Sequence, residues 1–231
     1  MSTVERPQVQ TLPPLVDGER LDRATFHARY SAMPPETRAE LIGGVVYMGS
    51  PLSWDHGEQD FETIHWLGHY RRHTKGILAA SNATVMFDNY GEPQPDIQLL
   101  IPERLGGQSR IVDGYVVGPP ELVVEISKST RRVDLGAKKD DYERAGLLEY
   151  LFVGIDPDEV RWFAFRGGRL VQLQPDPDGL HRSATFPGLW LDPKALIEGD
   201  TEAIIAALDR GLATPEHAAF AAKLAEAATR P

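Results

Sequence analysis

Leu122-Val123-Val124-Glu125-Ile126-Ser127 is the stretch on which the reading of this chain turns. It has the length and apolar character of a buried strand, and a lone carboxylate inside such a strand is costly unless something compensates it. Two readings are open. Either this is an edge strand with Glu125 facing water, or Glu125 is a metal ligand or general base.

Downstream, Asp134 to Ala145 reads as a helix closed by Gly146. Asp134, Lys138 and Tyr142 are spaced i, i+4 and i+8 and share one face of it. That face is either a solvated Asp–Lys pair or, coming directly after the Glu125 strand, part of the same site. A lysine there can orient a water nucleophile and offset charge building on a phosphoryl transition state. LEYLFVGI, EVRWFAF and RLVQLQ then alternate with turns at Asp156-Pro157-Asp158 and Gly167-Gly168, as a meander does. Helical stretches follow near 193–211 and 214–228.

Upstream, Pro95-Asp96 introduces the apolar strand DIQLLI. Pro-Asp alone is a common turn pair. Paired with Glu125, Asp96 gains meaning, because two carboxylates on adjacent strands can converge on one hard cation such as Mg²⁺. Pro102 to Pro120 reads as a loop with one short strand, and TVMFD and ILAASN as strands. His56 to Lys75 reads as a helix with Phe61, Ile64 and Leu67 on its apolar face. ELIGGVVYMGS reads as a hairpin turning at Gly43-Gly44, and Leu21 to Ala32 as a short helix. The expected organisation is an α/β (α+β) single domain in three parts: a flexible leader at 1–18, the main domain at 19–191, and a helical C-terminal extension at 192–231.

Composition bounds the function. The 231 residues are 42% hydrophobic and 25% charged, an ordinary globular balance. There is no cysteine, which excludes disulfides, thiolate zinc sites and cysteine nucleophiles. No membrane-length apolar run or secretory leader stands out, so a cytoplasmic address is expected. The net charge of −10 argues against strong nonspecific phosphate binding, although basic residues cluster locally at Arg71-Arg72-His73-Thr74-Lys75 and at Arg131-Arg132.

Taken together, ELVVEISKSTRRVDLGAKKDDYERAGLLEYLFVGID (121–156), Pro95-Asp96 and ELIGGVVYMGSPLSWDHG (40–57) resemble the Uma-two-type endonuclease family of the PD-(D/E)XK nuclease superfamily. The likeness spans about residues 25 to 165. It implies a restriction-endonuclease-like mixed sheet flanked by helices. It also implies metal ligation by Asp96 and Glu125, joined by Glu40 on the early strand, and a catalytic lysine at Lys138 in the pattern Asp-x-x-x-Lys-x-x-x-Tyr. Two departures stand out: the superfamily's commonest lysine position, two residues past the glutamate, is Ser127, and Gly43-Gly44-Val45 replaces the family's usual Asp-Gly-Glu. Lys128 and Lys139 are rivals for the lysine role that read better as solvent or phosphate contacts.

The row His65, His69, His73 lacks the glutamate of a zinc-protease motif and reads as a polar helix face that can touch phosphate. His56 is explained as well by helix capping as by catalysis. Phosphate-loop, dinucleotide and serine-hydrolase motifs are absent. The expectation is therefore hydrolysis of DNA phosphodiesters with Mg²⁺, or Mn²⁺ in its place, by a protein for which a two-fold homodimer suits cutting both strands. The alternatives are a catalytically inactive nuclease-fold module that binds nucleic acid or protein, and a hydrolase of a smaller phosphoester.

Overall fold

The structure, a computed structural model, describes residues 12–87 and 89–229. It opens with α1 (Arg23–Tyr30) and the hairpin β1 (Ala39–Ile42) and β2 (Val45–Met48), followed by the long α2 (Trp54–His73). Next come β3 (Leu78–Ser81), β4 (Val85–Met86), β5 (Ile97–Leu100), β6 (Arg110–Val112), β7 (Tyr115–Val117) and β8 (Leu122–Ser127). The helical stretch after β8 comprises α3 (Arg131–Val133), a π turn at Asp134–Lys138 and α4 (Lys139–Ala145). The meander β9 (Glu149–Ile155), β10 (Asp158–Arg166), β11 (Arg169–Leu173) follows, and then the small pair β12 (His181–Arg182), β13 (Trp190–Leu191). The chain ends in α5 (Pro193–Glu198), α6 (Thr201–Leu212) and α7 (Pro215–Ala228).

Six strands form one sheet in the order β11-β10-β9-β8-β5-β3. Only the β8–β9 pair is parallel, so the sheet is mixed, as expected. β8 lies between β5 and β9, and all six of its residues are buried, which removes the edge-strand reading of Glu125. Alternation along β8 decides what each side chain meets. Leu122, Val124 and Ile126 enter the main core beneath α2 and the C-terminal helices. Val123 joins Tyr142, Tyr150 and Phe152 on the opposite face, and Glu125 shares that side, which the 131–145 helical stretch covers. Each fully buried aliphatic side chain contributes about 1.5–3 kcal/mol, enough for the surrounding shell to hold a carboxylate in place.

Several expectations change. In α2 the buried residues are His56, Thr63, Trp66, Leu67 and Tyr70, whereas Phe61 is 69% exposed and Ile64 38% exposed; Leu67 alone of the expected apolar set points inward. The 102–120 stretch holds a 3₁₀ turn (Glu103–Leu105) and two strands rather than one: β6 and β7 pair around Asp113-Gly114, both at positive φ, and β7 also pairs with β4, while buried Glu121 closes the loop before them by accepting from Ile101 N at 2.6 Å and Gln108 N at 2.9 Å. The first eleven residues of the expected leader lie outside the described residues. Residues 12–18 are docked: Leu15 is buried, Pro13 and Pro14 carbonyls accept from the Arg29 guanidinium, and Gly18 N donates to Val46 O at 2.8 Å. At the other end, Leu196, Ile204, Leu208 and Leu224 belong to the same core as β8 and β9. Among the described residues no helix is long and apolar enough to cross a membrane.

Candidate active site

Asp96 precedes β5, and the antiparallel register Ile97↔Val124, continued by one step, sets it opposite Glu125 on β8. Its Oδ2 accepts from Ile126 N at 2.7 Å, which clamps the carboxylate to the neighbouring strand. Glu40 arrives from β1. The tight turn at Gly43-Gly44, with φ of 58° and 74°, suits glycine, and Asp141 of α4 accepts from Gly43 N. Glu40 Oε1 accepts from Gln94 N at 2.6 Å, so the hairpin is tied to the Pro95-Asp96 segment as well.

The lysine comes from the helical stretch after β8. The stretch is interrupted at Gly136 (φ −110°, ψ −112°), and within it a π turn carries Asp134 and Lys138 inward. The expectation of a regular helix fails locally, yet Asp134, Lys138 and Tyr142 are all buried. Lys138 Nζ lies 2.8 Å from Glu40 Oε1 and 2.8 Å from Glu125 Oε2. The Tyr142 hydroxyl donates to Glu125 Oε1 at 3.1 Å, so both oxygens of Glu125 are held. Glu40, Asp96, Glu125 and Lys138 thus meet in one cleft of about 180 Å³.

Electrostatics in this cleft are unbalanced. Four carboxylates, Glu40, Glu125, Asp134 and Asp96, act on the single Lys138 ammonium. Burial alone would drain Lys138 of its proton, but these carboxylates outweigh it and hold its pKa well above the ordinary lysine value. Burial pushes Glu125 well above the usual carboxylate range, against the attraction of Lys138 and with repulsion from Asp96 and Glu40 adding to it. Burial likewise pushes Asp96 up to about 6, opposed by Lys138, the Ile126 N–H and His56, and raises Asp134. The direction that stands for the Lys138–Glu125 pair is a charged lysine, since its ammonium touches two carboxylates at hydrogen-bond distance.

Among the described residues no three His, Asp or Glu side chains stand as a ready metal cage. Glu40 and Glu125 are drawn onto Lys138 instead. The donor chemistry nevertheless fits a hard divalent ion. The donors are carboxylate oxygens, negative charge exceeds positive, and Asp96 Oδ1 faces the cleft with His56 Nε2 at 3.7 Å, beyond hydrogen-bond reach.

Other candidates fall elsewhere. Lys128 pairs with Asp55, and Lys139 lies 5.6 Å from the Phe163 ring centre and within 3.9 Å of Glu143, so neither rival reaches the carboxylates. The cap of α2 is Ser53, which accepts from His56 N at 3.4 Å. The His56 ring instead crosses to β8, with Nε2 3.0 Å from Ile126 O and Nδ1 buried with no hydrogen-bond partner among the described residues. In the histidine row, His65 is exposed, His69 pairs with Asp209 at 2.8 Å and His73 bonds the His69 carbonyl at 2.9 Å. Sequence reading missed Arg38, an exposed cation lining the cleft and bonded to Asn82 at 3.2 Å. Its place two residues before Glu40, on the same side of an extended segment, was the available signal.

A family described as Uma2, putative restriction endonuclease, matches residues 24–194. The chain belongs to this family. That span covers α1 through the start of α5 and includes all four cleft residues of the Uma2 protein. A solved structure similar in fold is that of a putative nuclease belonging to DUF820 from Anabaena variabilis ATCC 29413. It is 16% identical, with a TM-score of 0.55, over 74% of this chain and 96% of that one. None of the curated proteins matches the chain.

Proposed function

We infer that this Uma2 protein is a cytoplasmic endonuclease that hydrolyses DNA phosphodiester bonds in the cleft, with Asp96, Glu125 and Glu40 holding Mg²⁺, or Mn²⁺ in its place, and Lys138 as the catalytic amine. The observation that carries this reading is the placement of Lys138 Nζ 2.8 Å from both Glu40 and Glu125, beside an Asp96 oxygen that faces the cleft. When bound, the cation supplies Lewis-acid charge neutralisation at the phosphate and lowers the pKa of water.

The chain's own residues do the rest. Asp96 is fixed by the Ile126 N–H so that its second oxygen is presented to the cleft. Tyr142 holds Glu125 in orientation. Lys138, kept charged by its neighbours, works as a hydrogen-bond donor and not as a base: it aligns the attacking water and offsets charge growing on the phosphoryl oxygens. Arg38 at the mouth, and exposed Arg132 between the cleft residues Thr130 and Val133, offer guanidinium groups to the DNA backbone. Local cations of this kind offset the acidic net charge where the substrate must approach.

The test compares wild type with Asp96→Ala on plasmid DNA in Mg²⁺ and in Mn²⁺. Nicking or linearisation by wild type and none by the variant is expected; equal activity in both rejects the reading. A second reading, a catalytically inactive module that binds DNA or protein, draws on the closure of Glu40 and Glu125 onto Lys138. Tight DNA binding by wild type without cleavage in either metal would favour it.

A further inference from the structure

Helix α2 presents an outer face that none of the described residues covers. Trp54 is 81% exposed, Phe61 69% and Ile64 38%. Gly57, Gly68 and Arg71 are exposed as well. Positions 54, 57, 61, 64, 68 and 71 follow the alternating steps of three and four that mark a heptad seam. A Cβ added at Gly57 or at Gly68 would meet nothing within 4 Å. Glycine in a helix interior is destabilising relative to alanine, and no neighbour among the described residues calls for one at either place.

From this face we propose that the protein forms an isologous dimer in which α2 packs antiparallel against α2 of a second copy. The seam is complementary to itself in one direction only. With the two-fold axis between residues 62 and 63, Phe61 meets Ile64 of the second copy and Gly57 meets Gly68, where two bare backbones can approach closely. Trp54 meets Arg71, a pairing of guanidinium with indole. Charge repeats the same logic. The first half of the face carries Glu58 and the second half carries His65, Arg71 and Arg72. Reversal brings opposite ends together, whereas parallel packing sets like on like. The acidic half also disfavours DNA as the occupant.

The apolar area suits the centre of a small interface. A full aromatic side chain is worth about 150–250 Å², so Trp54 and Phe61 at their exposures offer on the order of 300 Å². That makes an apolar centre for an interface whose rim of charges carries it toward the ~800 Å² per partner of a standard complex. The start of α2 also borders the cleft through His56, with Leu52 just before it. The dimer therefore relates two clefts by two-fold symmetry, although the inference does not rest on the catalytic reading.

The experiment is sedimentation of the full chain together with cross-linking. Wild type sediments as a dimer at tens of micromolar, on the order expected for a small interface. Phe61→Glu sediments as a monomer with unchanged circular dichroism. Gly68→Ala separates the effects: better helix propensity raises the melting temperature of the monomer, while the added methyl in the seam weakens dimerisation by tenfold or more. Because the chain has no cysteine, Gly57→Cys/Gly68→Cys gives an unambiguous disulfide-linked dimer on oxidation. A monomeric wild type overturns the proposal, as does a dimer that Phe61→Glu leaves intact. A chain that dimerises only after residues 1–11 are removed also overturns it, since its own N-terminus would then be the cover.

Discussion

The Lys138 ammonium sits 2.8 Å from Glu125 Oε2 with both side chains 4% exposed. A buried pair of this kind is costly to break from one side, because the surviving charge is left without compensation. Lys138→Met is therefore expected to lose about 3–5 kcal/mol of stability, read as a fall in denaturant midpoint at constant slope. Adding Glu125→Gln should recover much of that loss while leaving no nuclease activity. A double variant as unstable as the single one would mean that the pair is not what Lys138→Met disrupts.

Asp96 illustrates a cost of the site. Its carboxyl is raised from 3.8 to about 6 by burial, against the pull of Lys138. A folded state that holds the proton more tightly than the unfolded chain loses stability as pH rises between those values. Asp96's contribution is thus intact below pH 3.8 and gone above about 6. In chelator, Asp96→Asn is expected to be more stable than wild type at pH 8 by about 1–2 kcal/mol, below the full linkage value of a two-unit shift, and indistinguishable from it near pH 4. Thermal melts at the two pH values check the sign.

Divalent cation should offset the same cost of burying a charged Asp96. Saturating Mg²⁺ or Mn²⁺ at ten times its dissociation constant stabilises the folded state by about 1.4 kcal/mol. A rise in the melting temperature of wild type, and none for Asp96→Asn, is expected. Equal shifts in both would place the ion elsewhere.

Arg38 is exposed and serves no buried pair. Arg38→Ala is expected to weaken DNA binding several-fold with a shallower salt dependence, and to leave the melting temperature within about 1 °C of wild type, as surface changes generally do. Fluorescence anisotropy across a salt series reads both quantities.

The core of the architecture was legible because it rests on periodicity. β8, the meander β9–β11, the Gly43-Gly44 hairpin and the helix following β8 all follow from spacing and turn residues. The sequence offered Asp96, Glu125 and Lys138 as separate signals, and a family resemblance added Glu40. What escaped depends on long-range contacts. The inward face of α2 could not be distinguished from its outward one, because Phe61 and Ile64 are as apolar as Leu67 and only tertiary packing separates them. The second strand of the 102–120 stretch, β7, pairs with the distant β4 as well as with β6. The π turn at Asp134–Lys138 leaves the i, i+4 spacing unaltered, so residue pattern does not report it.

The matched register of β5 and β8 reaches beyond geometry. Asp96 and Glu125 are spaced by the ladder of the sheet itself, whereas the amine is delivered by a separate helical cover. Warming that loosens the cover before the sheet would dismantle the centre in a fixed sequence, with the amine departing while the paired oxygens stay in place. Such a half-melted molecule would keep its paired carboxylates in register without the amine that neutralises them.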